Sequence, residues 1–309
     1  MRMWSKLITA AATAALLSIG TATAGASAAH AAAKPTAPKP AAAAQAAGPQ
    51  RADGNHRPVI FIHGFNRTGA GRDCVGYWGD TIPEFKDRGY TTRTWGFYGG
   101  DHNCSAVFKG TKNTSVKMLG REFAQYVYKN FSKPGRAVDV VGHSMGGLIV
   151  RAALTGTANR EPGFPPYLYI EDAVTIATPH AGTKWALGCA TTQCKDMRPR
   201  STLLKWLQYV PQSRMGTDWT LVGSADDKIV PMSSSIYGMK LAPHLVWFPK
   251  AGGKLGHDKI QTVGYGGWRS YLWNEGDRRN RNDYGTWGHL TGPNPGRIAQ
   301  NGSFFHHKY

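Results

Sequence analysis

The stretch VVGHSMGGLIV, Val140 to Val150, decides how the whole chain is read. Five aliphatic residues flank three glycines gathered around one serine, although glycine is a poor residue for the interior of a strand or a helix. AVDVVG (137 to 142) reads as a buried strand, and the run from Met145 through Leu148 to Leu154 reads as a helix. Ser144 therefore stands where a strand turns abruptly into a helix, with Gly142 and Gly146 in G-x-S-x-G spacing. Such a turn strains the serine backbone and leaves no room for a side chain at either flanking glycine. The strain has a use: it lifts the hydroxyl off the carboxyl end of the sheet. It also puts the Met145 N–H, at the positive end of the new helix, beside a reacting carbonyl.

Outward from this turn, strand and helix patterns alternate. RPVIFIHGF (57 to 65) is a buried strand, 77 to 88 a helix, and TTRTWGFY (91 to 98) a second strand. The next stretch carries Val116, Leu119, Phe123, Val127 and Phe131 at three- and four-residue steps, one apolar face of a helix. YIEDAVTIATP (169 to 179), WTLVGS (219 to 224) and HLVWFP (244 to 249) are further strands, and 258 to 274 is expected to be helical. The alternation predicts an α/β fold, a mostly parallel sheet with helices on both faces.

A serine hydroxyl is a weak nucleophile without a base, and the base needs a carboxylate to orient it. In sheets of this kind the partners follow in the order serine, acid, histidine. WTLVGSADDKIVP ends a strand with Asp226 and Asp227, of which only one can be aimed at the base. After the next strand, the glycine-rich AGGKLGHDKIQ presents His257. His244 begins a strand, His289 lies in a polar tail, and His306 and His307 sit at the terminus. A tetrahedral intermediate needs a second donor besides the Met145 amide. HGF (63 to 65) follows the first core strand, which nominates the Phe65 N–H as the other half of an oxyanion hole.

VIFIHGF, VVGHSMGG and GSADDKIVP followed by LGH resemble the α/β-hydrolase superfamily, and within it the small bacterial secreted lipases and esterases. IATPHAGT (176 to 183) is similar as well, and the likeness runs over roughly residues 57 to 275. It implies Asp227 rather than Asp226 as the acid. It also implies a triad of Ser144, Asp227 and His257 with no cofactor and no metal. Larger relatives carry two strands ahead of HGF, which the Ala/Pro-rich stretch here cannot supply, so a minimal sheet of about six strands is expected.

The rest of the chain sets the context. A charged start, a short apolar run and small-residue exits near Ala28 or Ala31 predict a signal peptide over 1–31 and a secreted, extracellular protein. Residues 32–56, rich in Ala and Pro, are expected to be a flexible linker. The hydrolase domain is placed at 57–275, and 276–309, with Arg278, Arg279 and Arg281, forms a polar basic tail of open role. Cys74, Cys104, Cys189 and Cys194 in an exported chain predict two disulfides. Three pairings are possible, and proximity favours Cys74 with Cys104 and Cys189 with Cys194. No CxxC spacing suggests zinc.

The 309 residues carry 37 basic and 19 acidic side chains. Once Arg2 and Lys6 leave with the leader, 35 against 19 remain, or +16. Such a surface suits anionic partners, but no nucleic-acid module accompanies it. The expected partner is an acyl ester or lipid met at an interface, bound by a monomer with no transmembrane segment in the mature chain. Within 184 to 216, the residues Leu203, Leu204, Trp206, Leu207 and Val210 form an apolar helical surface, which either lines an acyl-chain site or docks on its own core. An acyltransferase or a polyester depolymerase would use the same triad. A non-catalytic wall- or lipid-binding protein would have no use for it.

Overall fold

The computed structural model describes residues 48–274 and 286–305. In chain order the elements are β1 (Val59–Ile62), α1 (Thr81–Asp87), β2 (Thr92–Gly96), β3 (Ala106–Val107), α2 (Val116–Val127), β4 (Val138–His143), α3 (Met145–Ala158) and β5 (Ile170–Ile176). Then follow α4 (Thr192–Met197), α5 (Thr202–Trp206), β6 (Asp218–Ser224), α6 (Met232–Ser235), β7 (His244–Phe248), β8 (Arg269–Asn274), β9 (Thr286–Thr291) and α7 (Pro295–Gly302). The strands form one sheet in the order β3-β2-β1-β4-β5-β6-β7-β8-β9. The first seven in that order run parallel, and β8 and β9 close the edge antiparallel.

Period-two alternation sends the strand residues to two separate cores. Ile60, Ile62, Val138 and Val140 pack with Leu119, Phe123 and Val127 of α2 and with Leu148 and Ala152 of α3. Val59, Phe61, Val141 and Val174 pack on the opposite face with Ile82 and Phe85 of α1 and with Ile298 of α7. Helix α2 begins where the Ser115 hydroxyl accepts the Met118 N–H at 3.2 Å. From β1 the sheet grows toward β2 and β3 on one side and toward β4 to β7 on the other. The strand order therefore reverses between β1 and β4, the place where ligands sit in such sheets, outside the carboxyl ends of the strands.

Among the described residues nine strands stand where about six were expected. The six read from the sequence are β1, β2, β4, β5, β6 and β7, and three others escaped. The two residues of β3 are too short to show a period. The helix expected over 258 to 274 is instead a single turn, Ile260–Thr262, followed by β8. Gly264, Gly266 and Gly267 interrupt any helix there. Beyond them Ser270 and Leu272 point into the protein, while Tyr271 stacks on Trp247 at 4.4 Å, a two-residue period. β9 and α7 lie in the stretch read as a tail. Asn294 caps α7, with its side chain accepting the Arg297 N–H at 2.7 Å, and Ile298 and Ala299 are fully buried. Residues 286–305 thus belong to the folded domain, whereas Arg278, Arg279, Arg281, His306 and His307 lie outside the described residues, as does the predicted signal peptide.

Most of the expected linker is likewise outside the described residues, but its last part is tied down. Arg57 pairs with the fully buried Glu171 and donates to the Gln50 and Ala52 carbonyls at 2.6 and 3.0 Å, and the Ala52 N–H donates to Glu171 at 2.7 Å. Glu171 shares the amino-terminal end of β4 and β5 with Asp139 and Asp172. Burial, and then the charge of Glu171, push the Asp139 carboxyl well above its ordinary value of 3.8. A carboxyl raised in this way contributes stability that is present below its unfolded value and lost as pH rises through the folded one. Asp139→Asn retains an acceptor for the Asp172 amide and removes that loss. Its melting temperature relative to the parent should climb between about pH 4 and pH 8. A difference that stays constant across calorimetric scans in this range would exclude Asp139 as the source.

Candidate active site

Ser144 sits at φ 53° and ψ −124°, a left-handed geometry forced on a residue with a side chain. The sheet holds it there: the Ser144 N–H donates to the Ile176 carbonyl of β5 at 2.8 Å. A Cβ on Gly146 would lie 2.3 Å from the Ile62 carbonyl oxygen of β1, and one on Gly142 would lie 2.7 Å from the Gly147 nitrogen. Both positions therefore need glycine for close approach, as the sequence spacing suggests.

The structure brings Ser144, His257 and Asp227 together from the ends of β4, β7 and β6. His257 Nε2 lies 2.9 Å from Ser144 Oγ, and its Nδ1 lies 2.8 Å from Asp227 Oδ2. A carboxylate can only accept, so Nδ1 carries the ring proton and Nε2 is left as the acceptor for the serine hydroxyl. The other Asp227 oxygen takes the Ile229 and Val230 N–H groups at 2.8 Å each, which fixes the carboxylate plane. Asp226 turns elsewhere. It accepts the Ala251 and Leu255 N–H groups at 3.0 and 3.3 Å and so shapes the glycine-rich loop that delivers His257. His244 is drawn to Asp218 at 2.9 Å, and His289 lies against Tyr271 on the antiparallel edge, both away from Ser144.

Around Phe65 nearly every main-chain group is spoken for. Gly64 N–H donates to the Tyr77 hydroxyl (3.1 Å), and His63 Nδ1 donates to the Gly64 carbonyl (2.9 Å). Arg72 donates to the Phe65 carbonyl (2.8 Å), and Asn66 N–H donates to the Tyr98 hydroxyl (3.0 Å). Among the described residues the Phe65 and Met145 amides have no such partner, and both residues border Ser144 or its cleft. His63 is pinned from behind by Asp101 at 2.9 Å. Burial would raise the Asp101 carboxyl, but its bonds to His63 and to the Tyr98 and Arg72 amides carry it below its ordinary value. The Cys74–Cys104 disulfide staples the segments bearing Arg72 and Asp101, and Cys189–Cys194 closes the short loop between Trp185 and Met197. These are the two pairings that proximity favoured.

A link between the two halves of the site went unread in the sequence. His143, the residue before the serine, is fully buried, and burial followed by the nearby His257 keeps its imidazole neutral, well below its ordinary value. Its Nε2 faces the His257 carbonyl at 3.0 Å and must donate, so Nδ1 accepts from the Tyr77 hydroxyl at 2.6 Å. Tyr77 thus bonds both the Phe65 loop and the strand end that carries Ser144, and His143 passes the connection to the His257 backbone. Only the position of His143 inside the G-x-S-x-G motif hinted at this, and nothing in the sequence marks Tyr77.

A cleft of about 230 Å³ opens over Ser144 and His257. Its lining includes the apolar Phe65, Pro179, Trp185, Met197, Ile229 and Val230 and the polar or charged Asn66, Arg67, Arg72, Tyr77 and Asp258. The apolar surface expected from 203 to 210 is not in this lining. Leu203 and Leu207 are buried in the α2/α3 core, with Leu204, Trp206 and Val210 packed against it, so this helix docks on its own protein.

The family model of class 2 lipases matches residues 56–244. No curated protein sequence matches. Among solved structures, the lipase BlEst2 of Bacillus licheniformis in its mature form is 18% identical, with a TM-score of 0.37 over 61% of this chain and 74% of that one. Its propeptide form is 17% identical, with a TM-score of 0.43 over 70% of this chain and 50% of that one. An α/β serine hydrolase homologue from Coxiella burnetii is 13% identical, with a TM-score of 0.40 over 68% and 80%.

The contacts of Tyr77 give a test of preorganisation. Tyr77→Phe strands the buried Gly64 amide and the His143 ring nitrogen without their partner, a cost that should appear as a roughly tenfold fall in kcat. KM for a small soluble ester should change far less. Steady-state kinetics in which only KM moves would contradict this role.

Proposed function

This chain belongs to the class 2 lipase family and is a carboxylic ester hydrolase, and we propose that it is a secreted serine esterase or lipase working through an acyl-enzyme. The observation that carries this reading is the unbroken line from the Ser144 hydroxyl through His257 to Asp227, at 2.9 and 2.8 Å. Ser144 Oγ attacks the ester carbonyl while its proton passes to His257 Nε2, and Asp227 steadies the imidazolium. The Phe65 and Met145 amides receive the charge that develops on the carbonyl oxygen, an effect worth about a hundredfold to a thousandfold per donor. The ester C–O bond then breaks and His257 returns its proton to the leaving alcohol. Water repeats the sequence on the acyl-enzyme, giving the free acid and restoring Ser144.

The hydrophobic part of the cleft lining supports an acyl chain as the group bound beside Ser144. Two disulfides and the leader-like start of the sequence support export to an oxidising compartment. Hydrolysis of p-nitrophenyl esters of graded chain length tests the reading. Ser144→Ala should lose activity by roughly four orders of magnitude or more while retaining its fold. Activity equal to the parent in that variant would sink the nucleophile assignment, and the chain-length profile of the parent separates an esterase from a lipase.

A further inference from the structure

The cleft lining combines apolar and cationic side chains. Phe65, Pro179, Trp185, Met197, Ile229 and Val230 are its apolar residues, with Phe65 edge-on to Trp185 at 6.0 Å, and the loop from 66 to 77 contributes two guanidinium groups, on Arg67 and Arg72. Among the described residues neither arginine forms an ion pair with a carboxylate. Asp101, which takes the Arg72 main-chain N–H, already faces His63, and Asp258 is the one acid among the lining residues and is exposed.

Arg72 is held in place with donor capacity to spare. One terminal nitrogen donates to the Phe65 carbonyl at 2.8 Å, and the guanidinium lies over the Tyr77 ring, 5.0 Å from its centroid. Its Nε is buried and has no hydrogen-bond partner in the protein. The charge is felt inside the site, where it helps hold the His143 imidazole neutral. A guanidinium does not shed its proton, and a cation taken partly out of water without a counter-charge is costly. Its planar fork is matched to carboxylate and phosphate.

We propose that the cleft selects amphiphilic esters whose alcohol part carries an anionic group, phosphate or carboxylate, received by Arg72 at the floor and Arg67 at the mouth. The apolar residues take the acyl chain, which leaves the alcohol half of the ester for the arginine-bearing loop. The inference rests on the ester-hydrolase reading and adds no chemical step to it. It gives the exposed, unpaired Arg67 a role, and it gives Arg72 one beyond holding the Phe65 carbonyl.

The test compares 1-lauroylglycerol 3-phosphate, the lauroyl ester of lactate and neutral 1-lauroylglycerol, each below its micelle concentration. The native protein should favour one or both anionic esters over the neutral one by about tenfold in kcat/KM, a preference that shrinks as salt is added. Which anionic ester leads tells phosphate from carboxylate. The ratio should fall toward one in Arg67→Ala and in Arg72→Gln and survive in part in Arg67→Lys. Any general damage from Arg72→Gln to the Phe65 loop acts on all three esters and cancels in the ratio. Inorganic phosphate should compete with p-nitrophenyl butyrate in the native protein, and more weakly in the two charge-removing variants. A native ratio of one or below, or a ratio unchanged in both variants, overturns the anionic subsite while leaving the hydrolase reading intact. No turnover of any ester, p-nitrophenyl butyrate included, overturns the hydrolase reading and the subsite with it.

Discussion

Everything at the site depends on one backbone constraint: Ser144 held in a left-handed conformation between β4 and α3. A residue with a Cβ resists that geometry, and a cost of order 1–3 kcal/mol persists only where the surroundings over-determine it. Here the restraints are specific. β5 takes the serine amide through the Ile176 carbonyl, and β1 presses so close to Gly146 that no side chain fits between. The sheet thus converts strand packing into the position of one hydroxyl, and α3 starts with its unpaired amides beside that hydroxyl.

The remaining polar groups around the cleft are held in place by hydrogen bonds within the protein itself. His63, Arg72, Tyr77 and Tyr98 bond the main chain around Phe65, and among the described residues the Phe65 amide has no partner. Asp227 and Asp226, adjacent in sequence, divide the work. One orients the imidazole, and the other braces the loop that brings it. Neutral His143 and Tyr77 then join the two loops through a single buried line of hydrogen bonds, so that the position of one is felt by the other.

The two ends of the sheet treat charge in opposite ways. At the amino-terminal ends of the strands, buried carboxyls gather and are answered by Arg57 and Arg51 from the chain ahead of β1. At the carboxyl-terminal ends, Arg67 and Arg72 border the cleft, and among the described residues neither forms an ion pair. The first arrangement ties the entering chain to the domain, and the second leaves cationic donors for a substrate. A net charge of +18 over the whole chain does not distinguish these cases. Only the partners of each arginine do.

The sequence by itself determined the parallel core, the glycine-flanked turn, and the order in which Ser144, Asp227 and His257 arrive. These rest on local rules: alternation with a period of two, the steric demand at Gly142 and Gly146, and the habit of such sheets to place loops at strand ends. It misread 258 to 274 because the length and mixed polarity of that run resemble a helix, whereas the strands that fix which of its residues face inward, β7 and β9, lie outside the run itself. The tertiary structure alone decided that α7 seals the second core, that the helix at 202–206 docks inward instead of lining the cleft, and that Tyr77 and His143 meet. The reason is the same in each case. These contacts join residues separated by dozens of positions, and no spacing or period within one segment can encode which distant surface it will cover.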